Sequence, residues 1–153
     1  MTFTEDNYEK ALIALFDNLG YQYLYGPNIE RDYYTPFYKE QLVDSLHTIN
    51  SNKPEIAINE AITKLKDIDT GSLIQKNELF MDYLQHGIEV SYHNGKEQQH
   101  EIIYLIDYTH INRNCFQVIN QWTFVEHSEK RADIIVFING LPLVVIELKS
   151  PSR

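Results

Sequence analysis

Three charged side chains near the carboxyl end of the sequence have the types and spacing of a metal-assisted hydrolytic site. Asp133 precedes one apolar run, and Glu147 and Lys149 follow the next. Alternation along a strand places Glu147 and Lys149 on one face and Leu148 on the other. Carboxylates beside a buried strand are costly to desolvate unless they are paired or bind a metal. Carboxylate oxygens suit Mg²⁺, and a nearby lysine can orient a water molecule and offset charge developing on a phosphate.

The turn between the two apolar runs decides whether Asp133 and Glu147 can share a metal ion. With a plain two-residue turn at Asn139-Gly140, Asp133 faces Ile146, and the two carboxylates lie on opposite faces of the sheet. A three-residue loop over 138–140, or a β-bulge elsewhere between the two acids, brings them to the same face. We therefore predict an odd-length loop or a bulge.

The three residues taken alone have a simpler explanation. Asp133, Glu147 and Lys149 would then form the solvated end of a hairpin, with an ordinary surface ion pair worth about 0–1 kcal/mol. An aspartate followed at a distance by Glu-x-Lys is easily matched by chance. The flanking sequence must therefore distinguish a site from a hairpin end.

Hydrophobic periodicity predicts an α/β domain with a mixed sheet. An amphipathic helix covers 8–19 and ends at Gly20, and an aromatic run over 21–25 predicts a short strand. The block over 39–86 predicts three helices, which we interpret as an insertion packed on the sheet. Alternating or continuously apolar segments predict five further strands, over 88–92, 101–108, 115–125, 134–138 and 143–146. The last two are apolar on both faces, which is typical of strands covered on both sides.

Composition excludes several classes of protein. The length of 153 residues predicts one domain over 1–153, and 13 Lys+Arg against 22 Asp+Glu give a net charge of −9, unlike a free-standing cationic nucleic-acid binder. A single cysteine, Cys115, excludes an intramolecular disulfide and a multi-cysteine zinc site. There is no export signal and no apolar run long enough to span a bilayer, so we expect a cytoplasmic protein with no membrane partner. The sequence lacks a phosphate-binding Gly-x-x-x-x-Gly-Lys loop, so we expect no ATP hydrolysis by this chain.

The segments around Asp133 and Glu147 resemble a known family. They are similar to the N-terminal nuclease domain of the R (restriction) subunit of type I restriction-modification enzymes, in the PD-(D/E)xK superfamily. Ala132 stands where the superfamily signature has proline. The similar segments are 103–107, 113–114, 116–121, 131–133 and above all 136–149, with the opening 4–21 similar to the first helix of that domain.

The resemblance implies a restriction-endonuclease-like mixed sheet flanked by helices and Mg²⁺-dependent cleavage of double-stranded DNA. It assigns Asp133 and Glu147 as metal ligands and Lys149 as the group that assists the attacking water. The backbone carbonyl of Leu148 commonly adds a ligand in this superfamily. A glutamate of the first helix can add another, and Glu9 is our candidate, although a solvent-facing role is at least as plausible for it.

The resemblance also implies partners. In type I enzymes an ATP-driven motor follows the nuclease domain in the same subunit, and methyltransferase and specificity subunits supply target recognition. The family's nuclease core continues with a helix that carries Gln-x-x-x-Tyr and with a further strand. Because 1–153 contains neither, we expect a C-terminally truncated fragment that is inactive in isolation. Two alternatives stay open: a non-catalytic docking fragment that contacts the motor or methyltransferase core, and a different nuclease of the superfamily, such as a repair enzyme.

Overall fold

The computed structural model describes residues 4–149, and within them the chain forms four α-helices and six β-strands. The helices are α1 (Glu5–Asn18), α2 (Lys39–Ile49), α3 (Glu55–Lys66) and α4 (Leu73–His86). The strands are β1 (Gln22–Tyr25), β2 (Ile88–His93), β3 (Gln98–Ile103), β4 (Phe116–Val125), β5 (Glu129–Ile138) and β6 (Leu141–Ile146). The α/β class predicted from periodicity is confirmed. None of the helices within 4–149 is long and apolar enough to cross a membrane.

The chain divides into two compact units. One unit combines the chain up to Leu42 with the chain from Cys115 onward, and the other consists of Val43–Asn114. The boundary on the amino-terminal side falls inside α2. The predicted insertion over 39–86 is therefore longer than expected, because it also includes β2 and β3.

The first unit contains a mixed four-stranded sheet in the order β1-β4-β5-β6. Strand β1 pairs in parallel with β4, and the other neighbours are antiparallel. The four residues Ile134–Phe137 of β5 are all buried, as predicted for a covered strand. The same prediction for β6 is wrong, since Val144 and Val145 are exposed by 48% and 58%. Strand β6 lies at the edge of the sheet, so an apolar run does not guarantee cover on both faces.

Aromatic packing fixes the core of this sheet. Trp122 and Phe137 are buried with ring centroids 4.8 Å apart, and the Arg31 guanidinium lies 3.5 Å from the centroid of the Trp122 ring. Contacts of this kind stabilise by aromatic packing and by cation–π attraction. Because Trp122 is the single tryptophan of the chain, its fluorescence reports on this unit.

The second unit packs α3 against a separate two-stranded sheet formed by β2 and β3. Buried Ala57, Ile58 and Ala61 of α3 supply the helical side of its core. The expectation that these strands belong to the main sheet is wrong. The strand predicted over 101–108 also differs, since β3 ends at Ile103. The alternating pattern identified a hairpin, but a pattern within one strand carries no information about which sheet the strand joins.

The β5–β6 hairpin settles the question of register. Asn139 and Gly140 form a two-residue turn with φ angles of 54° and 78°, as a type I′ turn requires. The prediction of a three-residue loop is therefore wrong. After Pro142 the register shifts, with Val136 paired to Val144, so that Leu143 is the extra residue of a β-bulge. The alternative that we predicted, a bulge between Asp133 and Glu147, is confirmed.

Gly140 offers a test of this hairpin. A Cβ at Gly140 would lie 2.5 Å from the backbone nitrogen of Leu42 and 2.5 Å from the carbonyl oxygen of Tyr38, whereas a Cβ at Gly20 meets nothing within 4 Å. Both glycines have positive φ, so alanine at either position adds backbone strain of about 1–2 kcal/mol. We expect Gly140→Ala to lower the free energy of unfolding by about 3 kcal/mol or more, because the clash adds to the strain.

The measurement is urea unfolding followed by Trp122 fluorescence, with Gly20→Ala as the matched control in the same unit. Equal losses of stability in the two variants would contradict the close approach of the turn to the backbone of Tyr38 and Leu42.

Candidate active site

A cleft of about 540 Å³ opens in the first unit, where α1, β1, β4, β5 and the residues after β6 meet. It is lined by Glu5, Asp6, Glu9, Lys10, Ile13, Tyr23, Tyr25, Asn120, Gln121, Arg131, Asp133 and Leu148. Four of these residues are carboxylates and two are cationic, and the ammonium of Lys10 is held 2.7 Å from Asp6. The electrostatics of the cleft therefore favour a bound cation over a bound anion.

Asp133 lies on β5, half-buried, with its side chain in the cleft. Its Oδ2 atom accepts a hydrogen bond of 2.7 Å from the backbone N–H of Leu148. The N–H of Leu148 therefore bonds to a side chain and not to the backbone of a neighbouring strand. Strand β6 ends before it, at Ile146. The expectation that strand geometry extends through Lys149 is therefore wrong. The carboxylate of Asp133 and the backbone N–H of Leu148 are nevertheless adjacent.

Glu147 and Lys149 are both exposed and lie outside the lining of the cleft. The shifted hairpin register, continued one position beyond Ile134 and Ile146, places Glu147 opposite Asp133. The structure thus brings Asp133, Leu148 and Glu9 into one cleft. Glu147 and Lys149 follow β6 next to this cleft in the chain, but their side chains do not line it. Within 4–149, no three His, Cys, Asp or Glu side chains are grouped closely enough to hold a metal ion.

Glu9 faces the cleft from α1, and both of its carboxylate oxygens are occupied by amide donors. Oε1 accepts a hydrogen bond of 2.5 Å from the Asn120 side chain, and Oε2 accepts one of 2.8 Å from Gln121. The hydroxyl of Tyr23 donates to Oδ1 of Asn120 at 3.1 Å. These bonds attach α1 to β1 and β4 at the point where the candidate site lies.

The backbone of β4 is unusual at this point. Gln121 has a φ of 52°, in the left-handed region that non-glycine residues rarely adopt. The β4–β5 ladder is paired on either side but omits the position where Gln121 faces Asp133. Gly26 lies so close to the backbone of β4 that a Cβ there would be 2.5 Å from the Asn120 carbonyl oxygen. Backbone in such conformations concentrates at functional sites.

The oxygen donors of this cleft match the preferences of a hard cation. Mg²⁺ is commonly held by one or two carboxylates while it keeps several water ligands. Asp133 and Glu9 supply two carboxylates to one cleft, beside the backbone of Leu148. Only one oxygen of Asp133 is used by the Leu148 N–H. The donor set therefore fits Mg²⁺ and not a thiolate- or imidazole-selective metal.

Sequence reasoning missed Asn120, Gln121 and Tyr23. A signal for the first two was present, since an adjacent pair of amides interrupts the apolar strand between Ile119 and Trp122. A buried amide needs hydrogen-bond partners, and Asn120 is exposed by 5%. The positive φ of Gln121 had no sequence signal, because glutamine has no special preference for left-handed backbone.

The mixed sheet with α1 packed against it, and with acidic groups at one end of the β5–β6 hairpin, is consistent with a restriction-endonuclease-like α/β domain. A family model described as type I restriction enzyme R protein N terminus matches residues 2–153, and the chain belongs to that family. This membership favours a type I restriction system over the alternative of a repair nuclease.

Two relatives extend this finding. The type I restriction enzyme HindI endonuclease subunit of Haemophilus influenzae is 31% identical over 159 residues, covering 97% of this chain. The type I restriction enzyme EcoprrI endonuclease subunit of Escherichia coli is 29% identical over 147 residues, covering 95% of this chain. The chain spans 15% of the first relative and 44% of the second.

The hydroxyl of Tyr23 can report on the charge of the cleft. Burial raises the pKa of Tyr23, and the negative charge of Glu9 raises it further. We expect Glu9→Gln to move the pKa of Tyr23 down, toward the ordinary tyrosine value of about 10. The measurement is the ultraviolet absorbance of tyrosinate during a pH titration, with the Tyr23 contribution taken as the difference from Tyr23→Phe.

Asp17→Asn is the control, because it removes a carboxylate of the same helix that does not line the cleft. A pKa of Tyr23 that stays the same in Glu9→Gln would contradict the placement of Glu9 beside β1.

Proposed function

We propose that this chain is the Mg²⁺-dependent endonuclease domain of a type I restriction enzyme R subunit. It hydrolyses phosphodiester bonds of double-stranded DNA within a larger cytoplasmic complex that includes methyltransferase and specificity subunits. ATP serves the motor of that complex and is not a ligand of this chain. The observation that carries the proposal is the hydrogen bond of 2.7 Å from the Leu148 N–H to Asp133, formed in the cleft that Glu9 also lines.

The proposal assigns a role to each side chain. Asp133, Glu9 and the carbonyl of Leu148 would hold the metal ion, and Glu147 would be a further ligand, since the β5–β6 register, if continued beyond Ile134 and Ile146, would set it opposite Asp133. When bound, Mg²⁺ supplies Lewis-acid stabilisation of negative charge on phosphate oxygens. The ammonium of Lys149 would orient the attacking water and stabilise the charge that develops as the phosphodiester is attacked.

Metal binding by the 153-residue chain tests the proposal directly, with Mn²⁺ as the probe in a calorimetric titration. We expect the chain to bind Mn²⁺ and Asp133→Ala to lose at least about 10-fold in affinity, as is typical when a ligand or its support is removed. Glu129→Gln is the control, since it removes an exposed carboxylate from the same strand. Titrations of the parent chain and Asp133→Ala that are equally silent would favour the docking fragment.

Substitutions at Glu147 and Lys149, the two candidate residues outside the cleft, should affect Mn²⁺ affinity differently. Glu147→Gln should weaken Mn²⁺ binding by roughly 10-fold, because it removes a charged ligand. Lys149→Ala should leave the affinity unchanged or raise it, because an ammonium group repels a divalent cation. The same titration measures both variants. Loss of Mn²⁺ affinity in Lys149→Ala, with none in Glu147→Gln, would contradict the assigned roles.

A further inference from the structure

The carboxylate of Glu9 is held by two neutral amides from adjacent residues of one strand. Asn120 donates to Oε1 at 2.5 Å and Gln121 donates to Oε2 at 2.8 Å. Adjacent side chains of a regular strand point to opposite faces of the sheet. The positive φ of Gln121 removes that alternation, so both amides reach the same carboxylate.

The donor ends of these amides are defined by their surroundings. Asn120 is exposed by 5%, and its Oδ1 accepts the hydrogen bond of Tyr23, which leaves its NH₂ group to Glu9. A side-chain amide has distinct donor and acceptor ends, so the tyrosine fixes the orientation of the amide. Tyr23, Asn120 and Glu9 thus form a chain of directed hydrogen bonds from β1 to α1.

Because the two amides are neutral, they hold the Glu9 carboxylate without offsetting its charge, as a cationic partner would. Each carboxylate oxygen can accept more than one hydrogen bond or metal bond, so the amides leave Glu9 able to bind a cation. They also bring no positive charge to it. Asp6 of the same cleft differs, because Lys10 pairs with it at 2.7 Å and offsets its charge. Of these two acids of α1, Glu9 is the one held by two neutral donors, whereas Asp6 is held in an ion pair.

We propose that Asn120 and Gln121 are positioning residues that hold the Glu9 carboxylate in the orientation needed to bind the catalytic divalent cation. The left-handed backbone of Gln121 is the feature that lets both amides do so. This inference rests on the proposed function, since it concerns the same metal site. It assigns a role to residues that act through Glu9 and do not themselves touch the metal or DNA.

A double-mutant cycle on Mn²⁺ affinity tests the inference. Gln121→Met keeps the length of the side chain and removes its amide. We expect it to weaken Mn²⁺ binding about 10-fold, in line with the effect of groups that orient metal ligands. In a chain that already carries Glu9→Gln, the same substitution should cause no further loss, because residues that act through one ligand are not additive. Asn120→Leu, a second variant at the other amide, should behave in the same way.

Gln117→Met is the matched control. Gln117 lies on the same strand, and its amide donates to Gln22 and Gln41, away from the cleft. It should leave Mn²⁺ affinity unchanged. Thermal unfolding followed by Trp122 fluorescence, without metal, establishes that each variant is folded. A stability loss common to Gln117→Met and Gln121→Met with a change in Mn²⁺ affinity confined to Gln121→Met would support positioning over a general structural role.

The outcomes separate the two proposals. If Asp133→Ala loses Mn²⁺ binding while Gln121→Met and Asn120→Leu bind as the parent chain does, the metal site stands and the positioning role is overturned. If Gln121→Met lowers the affinity equally with and without Glu9→Gln, the residue acts elsewhere and the role is again overturned. If the parent chain shows no Mn²⁺ binding, both proposals fail together.

Discussion

The candidate site depends on one interruption in the ladder between β4 and β5. Backbone pairing continues on both sides, but the position where Gln121 faces Asp133 is omitted, and the φ of 52° at Gln121 is the local cause. An extended residue there would continue the ladder and send its side chain to the face opposite Asn120. The interruption instead places two amides against Glu9. Its energetic cost, of order 1–3 kcal/mol for such backbone, is offset by the hydrogen bonds that it permits.

The interruption belongs to one row of neighbouring residues that crosses the four strands of the sheet. Continuing the β1–β4 register by one residue brings Gly26 beside Gln121, and continuing the β5–β6 register brings Glu147 beside Asp133. Three of the four strands, β1, β4 and β6, therefore change their regular structure at this row, while β5 continues through Asp133. Strand β1 passes into a short 3₁₀ helix at Gly26, and β6 ends just before the row. The bulge at Leu143 is what adds Glu147 to the row, since an unbulged hairpin would place Ile146 there.

The sequence predicted most elements because periodicity and turn chemistry are local properties. It also predicted that the β5–β6 hairpin contains either a bulge or a loop of odd length, and Pro142 is a sequence signal for where the bulge lies. Pro142 has no N–H to give to the ladder, and irregular pairing is expected next to such a residue. The exposure of Val144 and the boundary of the two units inside α2 were not predictable, because they depend on which elements become neighbours. The roles of Asn120 and Gln121 depend in turn on a backbone angle that no residue type at these positions encodes.

Charge explains why neutral donors suit this cleft. An ion pair at Glu9, like the one that Lys10 makes with Asp6, would offset more of the negative charge that would attract a divalent ion. A chain with a net charge of −9 repels the phosphate backbone of DNA, whose binding depends on neutralised phosphates. Under the proposed function, a divalent ion held by the carboxylates would offset that repulsion locally, and the positive charge of Arg131 in the same cleft would act in the same direction. Amides that fix Glu9 without neutralising it therefore preserve the attraction on which both metal and substrate binding would depend.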